Sequence, residues 1–231
     1  MSYKTKVQER SITYSVKLSE DSIVFTYHSK PFYSFFKRVF DLSVSLICLI
    51  LLLLPFMIIA LIILIDDGSA SPIFVQKRVG KNGKNFKMYK FRTMCANAED
   101  KLVELQQLNE SDGPVFKIKD DPRITKIGRL LRASNVDELP QLFNIFLGQM
   151  SFVGPRPALP REVDEYRESD KLRLLVKPGL TCYWQATKNR NAVPFDEWMA
   201  LDRKYIMERS VWVDIKLIFK TFLFLFKKSG Y

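Results

Sequence analysis

Leu42 to Ile65 reads LSVSLICLILLLLPFMIIALIILI without one charged side chain, and this run limits the possible folds more than any other stretch. Its 24 residues, at ~1.5 Å rise each, would make a helix roughly 36 Å long, enough to cross the apolar core of a bilayer. Two features oppose a simple crossing. Pro55 sits mid-run, where it removes a backbone hydrogen bond and bends a helix. Basic residues also stand on both sides: Lys30, Lys37 and Arg38 before it, and Lys77, Arg78, Lys81, Lys84, Lys87, Lys90 and Arg92 after it. A single crossing would export one group, against the preference for cationic residues on the cytoplasmic side. A helix–break–helix hairpin that enters and leaves by the same face keeps both groups inside, and each half, ~16–20 Å long, is too short to span. On these residues alone a kinked crossing stays open, because spanning helices tolerate proline.

The rest of the chain is soluble in character. Of 231 residues, 47% are hydrophobic and 26% charged, which supports a packed domain beside the apolar run. The net charge of +11 suits phosphate-rich partners without choosing among them. Cys48, Cys95 and Cys182 are widely spaced and form no metal-binding pattern, so neither a structural zinc nor a disulfide framework is expected. The one histidine, His28, lies in a polar segment and is expected at the surface, which removes Ser-His and Cys-His schemes. No signal peptide is expected, since the apolar run begins far from the start and no small-residue cleavage site comes after it.

Along the chain, residues 1–30 are polar with β-friendly runs such as Ser22–Tyr27, read as an extension that pairs with something later. Ile73–Val79 and Asn85–Phe91 read as two strands joined at Asn82-Gly83, a hairpin-turn signal. Ala96–Leu108 follows a helical period, Asn109–Gly113 reads as a loop, and Arg123–Ala133 as a short basic helix after the turn at Asp120-Asp121-Pro122. Val211–Phe226 reads as an amphipathic helix with Lys216, Lys220 and Lys227 on one side, suited to lie in a membrane interface with Trp212 and Tyr231 at headgroup level; an ordinary helix packed on the domain is the alternative.

Three stretches could carry chemistry. Asp137 and Glu138 precede a helix-like run from Leu139 to Leu147 that stops at Gly148. Pro140 fits only a first helical turn, so Asp137 falls at or near a helix start, where the free N–H groups favour its anionic form. Such a carboxylate can be a nucleophile, a magnesium ligand or simply a cap. Arg156 stands between Pro155 and Pro157, a rigid setting from which a guanidinium can grip a phosphate. Strand alternation puts Lys90 and Arg92 on one face of the second strand, with Tyr89 and Phe91 on the other. Each has a plainer reading as a cap, a loop arginine or a solvated face.

In order, the chain carries Lys37-Arg38-Val39-Phe40-Asp41, Gln76-Lys77-Arg78, Tyr89–Met94, Asp121–Thr125, Gly128–Arg132, Asp137–Leu142, Met150–Pro157, Lys177–Thr181 and Trp184-Gln185. Together these motifs resemble the bacterial sugar transferases, the small monotopic phosphoglycosyl transferases, from about Phe36 to the C-terminus. The resemblance implies an α+β, mainly helical fold: a monotopic membrane protein with a re-entrant helix hairpin, a small β-hairpin and interfacial amphipathic helices. It divides the chain into an extension (1–35), the re-entrant element (36–66) and a cytosolic catalytic domain (67–231) on the cytoplasmic face of the bacterial inner membrane. It implies transfer of a sugar-1-phosphate from a UDP-sugar to polyprenyl (undecaprenyl) phosphate with release of UMP, in polysaccharide or glycoconjugate assembly. Asp137 would be the nucleophile and Glu138 its partner, both near Mg2+. Arg156 matches the phosphate-binding arginine, Arg132, Lys90 and Arg78 match basic positions lining the site, and Asp202 is a weaker candidate. The family breaks its membrane helix at Ser-Pro, whereas this chain has Leu54-Pro55. A homodimer is left open.

Competing classes are a membrane-anchored binding protein without chemistry, a nucleic-acid-binding protein, and a glycosyltransferase that releases UDP. The apolar run and the absence of a nucleic-acid-binding motif count against the second, and nucleic acid is not an expected partner.

Overall fold

A computed structural model describes residues 7–8, 11–18 and 21–226, apart from 69, 99, 103–104, 106, 108, 111, 117, 119 and 188–191. Among the described residues helices dominate, joined by three small sheets. The N-terminal residues form an antiparallel sheet of β1 (Val7–Gln8), β2 (Ser11–Leu18) and β3 (Asp21–His28), with Ser11 opposite His28. The extension therefore pairs with itself rather than with a later segment, because β2 and β3 are adjacent β-friendly runs of equal length.

The apolar run belongs to two helices, α1 (Pro31–Leu51) and α2 (Leu53–Asp66), bent by 61°. Among the described residues no single helix is long and apolar enough to cross a membrane; the bent pair is long and apolar enough together. The bend falls at Leu52, not at Pro55 as the sequence suggested. Proline disrupts the turn before it: Pro55 cannot donate to the carbonyl of Leu51 and its ring crowds that carbonyl, so α1 ends there. Leu52 N–H still bonds Cys48 O at 2.9 Å, and Phe56 N–H opens the next helix on Leu52 O at 2.8 Å.

The first half of α1 is fastened to the domain by the motif that precedes the apolar run. Lys37 Nζ meets Asp214 at 2.6 Å. Arg38 donates to the carbonyls of Ile145 and Phe146, each at 2.8 Å. The buried Asp41 accepts from Ser151 Oγ and Phe152 N–H, each at 3.1 Å. The opposite side of α1 exposes Phe32, Phe35, Phe36 and Phe40.

The β-hairpin matches the sequence reading to the residue: β4 (Ile73–Val79) pairs with β5 (Asn85–Phe91) across a turn in which Asn82 and Gly83 take positive φ. Helix α3 spans Lys126–Ala133, starting later than expected. Asp121 first accepts the Arg123 amide in a tight turn, and Thr125 caps the helix by accepting from Gly128 N–H. The described residues of 96–108 do not form the expected α-helix: they run as turns and 3-10 geometry, including a 3-10 turn at Asp100–Leu102.

Helix α4 (Gln141–Phe146) leads to β6 (Ser151–Val153), which pairs in parallel with β7 (Gly179–Thr181) across an interval containing α5 (Pro160–Asp164). Beyond β6 the two chains nearly touch: a Cβ on Gly154 would lie 2.3 Å from Lys177 O, and one on Gly179 would lie 2.2 Å from Gly154 N, so neither position admits a side chain. Helices α6 (Phe195–Glu208) and α7 (Val211–Phe226) close the domain. The inner side of α7 buries Asp214 and Leu217, while Trp212, Ile215, Phe219, Phe222 and Leu223 face outward. The helix thus packs on the domain and keeps an apolar outer side; Lys227 and Tyr231 lie outside the described residues.

Candidate active site

The two carboxylates lie in a 3-10 turn, Val136–Glu138, ahead of α4. Asn135 takes a left-handed conformation at φ 55° to turn the chain out of α3, so Asp137 sits inside a short turn of its own rather than capping α4. Helix α4, next in the chain, is anchored through its C-terminal half. Asn144 of α4 accepts Tyr89 N–H at 3.1 Å and donates to Lys87 O at 2.6 Å, joining α4 to β5. Arg38 holds the carbonyls of its last turn.

Asp137 and Glu138 face a cavity of about 810 Å3 whose wall also carries Arg78, Lys90, Arg132 and Arg156. The four cations offered as site residues therefore share one cavity with the carboxylate pair, and Lys90 and Arg132 act on Asp137 directly. Lys90 Nζ is 2.7 Å from Glu138 Oε1. Arg132 Nε donates to Thr93 Oγ1 at 2.8 Å. Arg78 is buried, with Nη1 on Pro157 O at 2.9 Å and Nε and Nη2 on Gln76 Oε1 at 3.0 and 2.6 Å. It thus steadies the backbone beside Arg156 as well as lining the wall. Burial and the nearby Arg156 charge lower its pKa to about 10. Among the described residues the Arg156 guanidinium makes no hydrogen bond or ion pair; it lies 5.9 Å from the ring centres of Trp184 and Trp198, which stack 4.1 Å apart.

Asp137 is 7% exposed, and its carboxyl is pushed up to about 6. Burial is the main cause and the Glu138 charge adds to it, against the pull of Lys90 and Arg132. A cationic ligand or a positive surround favours the ionised form, so the charge of the wall and the acidity of Asp137 are linked.

Asp202 is not on the cavity wall. It is buried behind it, with Oδ2 2.9 Å from Arg173 Nη2 but poorly aligned for a hydrogen bond. Burial raises its carboxyl to about 6 despite Arg173. Arg173 donates to Arg156 O at 2.9 Å and to Tyr166 Oη at 2.6 Å. Asp202 therefore supports the Arg156 loop at one remove, through Arg173, and does not face the cavity. The family resemblance offers Asp202 as a weaker site candidate, but its phase on α6 turns it into the core.

Sequence reasoning missed several wall residues. Arg123 forms a buried two-point pair with Asp121, at 2.9 and 2.6 Å. Arg161 and Trp198 also line the cavity. Buried polar atoms of Arg92 (Nε), Gln185 (Oε1) and Trp198 (Nε1) have no hydrogen-bond partner among the described residues, and all three residues face the cavity, as expected of a wall that meets a polar ligand. The adjacent Asp-Pro-Arg spacing could have revealed Arg123; nothing local marks Trp198.

No group of three or more metal-binding side chains occurs among the described residues, so an all-protein cage does not fit. Asp137 and Glu138 do fit a magnesium ion that takes its remaining oxygens from water and substrate phosphates, its usual habit.

The sequence model for bacterial sugar transferases matches residues 32–228. Galactosyl transferase CpsE of Streptococcus agalactiae serotype III is 41% identical over 210 residues, covering 91% of this chain and 44% of that protein. Undecaprenyl-phosphate galactose phosphotransferase of Salmonella typhimurium is 39% identical over 204 residues, 85% of this chain and 41% of that protein. Exopolysaccharide production protein ExoY of Sinorhizobium fredii is 37% identical over 196 residues and covers 83% of this chain and 86% of its own length. The chain thus spans under half the length of the first two relatives and nearly matches the third. With a carboxylate pair set in a cation-lined cavity, and a match that runs through nearly the whole chain, the protein belongs to the bacterial sugar transferase family.

Proposed function

We propose that the protein transfers a sugar-1-phosphate from a UDP-sugar to polyprenyl phosphate, with Asp137 as the nucleophile. The observation that carries the reading is a buried Asp137 on the wall of a cavity lined by Arg78, Lys90, Arg132 and Arg156. Phosphoryl transfer needs an in-line nucleophile and cations more than acid–base groups, and this wall offers that balance. The relatives' names mention a UDP-galactose donor and undecaprenyl-phosphate acceptors.

In the first step an Asp137 oxygen bonds to the β-phosphorus as the bridging P–O bond breaks, and UMP leaves with that electron pair. In the second, a phosphate oxygen of the polyprenyl phosphate bonds to the same phosphorus. The P–O bond to Asp137 breaks, the carboxylate returns, and a polyprenyl-diphosphate sugar results. Arg156 grips the donor phosphates, Arg132 and Lys90 offset charge near the carboxylates, and Glu138 holds Lys90 in place. Mg2+ held by Asp137 and Glu138 would neutralise part of the diphosphate charge.

The reading places α1 and α2 in the cytoplasmic membrane as a re-entrant hairpin, with the catalytic domain on the cytoplasmic face and α7 at the interface. It is supported by the 61° bend and by the exposed apolar sides of α1, α2 and α7. Such a seat lets one site meet a soluble donor and a lipid acceptor. Incubation with a panel of UDP-sugars, polyprenyl phosphate and Mg2+ tests it: UMP is the expected nucleotide product, and UDP in its place would assign sugar transfer alone.

A further inference from the structure

A second, smaller cavity of about 90 Å3 lies between the inner side of α1 and the domain, and none of its wall residues belongs to the active-site cavity. Lys37, Arg38, Lys81, Lys177 and Arg209 line it, with Asp41 the only acid on its wall among the described residues. The acids nearby are already engaged: Asp41 by Ser151 and Phe152, and Asp214 by Lys37, Tyr33 and Tyr205. Arg38 and Lys177 crowd one point, since a Cβ on Gly148 would lie 3.3 Å from Arg38 Nη2 and 3.4 Å from Lys177 Nζ. Arg38 at least spends donors on the α4 carbonyls. Lys177 is half-buried and makes no hydrogen bond or ion pair among the described residues. Burial and the neighbouring Arg38 push its pKa down.

A partly desolvated ammonium among other cations, whose one nearby acid, Asp41, is already engaged by Ser151 and Phe152, is under-compensated, and charges withdrawn from water are ordinarily paired. The missing partner is an anion with several acceptor oxygens, supplied from outside the chain. Its source is indicated by position. The wall residues Lys37, Arg38 and Asp41 end where the uncharged run begins at Leu42, and Phe32, Phe35 and Phe36 are exposed on the other side of the same helix turns. Once the hairpin is seated in a bilayer, this cavity lies at headgroup depth. We propose that Arg38 and Lys177, with Lys81 beside them, bind the phosphodiester of an anionic membrane phospholipid as a structural ligand distinct from the reacting lipid. This rests on the membrane seat proposed above.

The test uses the full chain purified in a neutral detergent, where no bilayer surface potential acts. Phosphatidylglycerol is added and native mass spectrometry counts retained lipid. One lipid per protein is expected. Lys177→Gln should lower that population at least about tenfold, the loss of a charge-assisted contact; Lys177→Arg and Lys220→Gln, the latter on the exposed side of α7, should keep it. Thermal melting of each variant confirms that it is folded. No one-to-one adduct, or an adduct unchanged by Lys177→Gln, overturns the proposal, and displacement of the lipid by millimolar inorganic phosphate overturns a lipid source. Flotation with phosphatidylcholine vesicles separates the two readings: a protein that floats but retains no phosphatidylglycerol refutes only this site, whereas one that does not float refutes the membrane seat.

Discussion

Lys90 Nζ lies 2.7 Å from Glu138 Oε1, beside the second carboxylate of the pair and not on Asp137, which makes no hydrogen bond or ion pair to another side chain among the described residues. The cation is thus held by one acid while it favours ionisation of the other. Asp137 thus lines the cavity with no side-chain partner of its own among the described residues, as the proposed nucleophilic role requires.

Replacing Lys90 by Met should remove that support and leave Glu138 uncompensated next to Asp137. A charged hydrogen bond is worth about 1.5–3 kcal/mol, so kcat/KM for UMP release should fall roughly 10- to 100-fold. The partly exposed pair contributes little to folding, so the melting temperature should stay nearly constant. Steady-state kinetics with parallel melting curves check both halves.

Arg156→Lys should keep the charge and lose the two-point grip and the planar contact with the tryptophans. With no hydrogen bond of its own to lose among the described residues, the fold should be unaffected. KM for the UDP-sugar should rise about tenfold or more, the scale of one charged contact. An unchanged KM would remove Arg156 from donor binding.

Gly154→Ala should destabilise the domain, because the added carbon would meet Lys177 O at 2.3 Å on the strand pair that leads into Arg156. Overpacking of this kind costs about 1–3 kcal/mol. Denaturant unfolding measures it, and activity should fall with it because the Arg156 loop must shift.

Asp202 gives a pH test. Its folded pKa, about 6, lies above the ordinary 3.8 because of burial, so the folded state holds its proton more tightly. Its contribution to stability is present below about pH 4 and is lost as pH rises through about 6, on the order of 3 kcal/mol in all. Asp202→Asn should flatten this part of the stability–pH curve relative to wild type. Parallel curves for the two proteins would show that Asp202 does not titrate in this window.

Local signals in the sequence were strong where local chemistry decides. Asn82-Gly83 and the flanking strands specify the β-hairpin with no outside help. The uncharged run identifies the apolar helices, but Pro55 misleads by one turn, since proline breaks the hydrogen bond behind it and the bend appears at Leu52. The Asp137-Glu138 pair and its cations were legible as residue types, and the ordered motifs grouped them. Their meeting in one cavity depends on contacts distant in sequence, such as Asn144 with β5 and Arg38 with α4. The same distance explains Asp202, whose partner Arg173 is not marked by any local pattern, and Trp198, which meets Trp184 only after α6 folds back.

The bond proposed between Asp137 and phosphorus can be observed directly. Wild-type protein given a UDP-sugar and Mg2+ without acceptor lipid should show one sugar-phosphate adduct by intact-protein mass spectrometry, mapped by fragmentation to Asp137 and released by polyprenyl phosphate. Asp137→Asn should show no adduct, with UMP release reduced roughly 10^4-fold or more, the scale seen when a nucleophile is removed. UMP formed by Asp137→Asn at the wild-type rate, or an adduct mapped to another residue, would contradict the account.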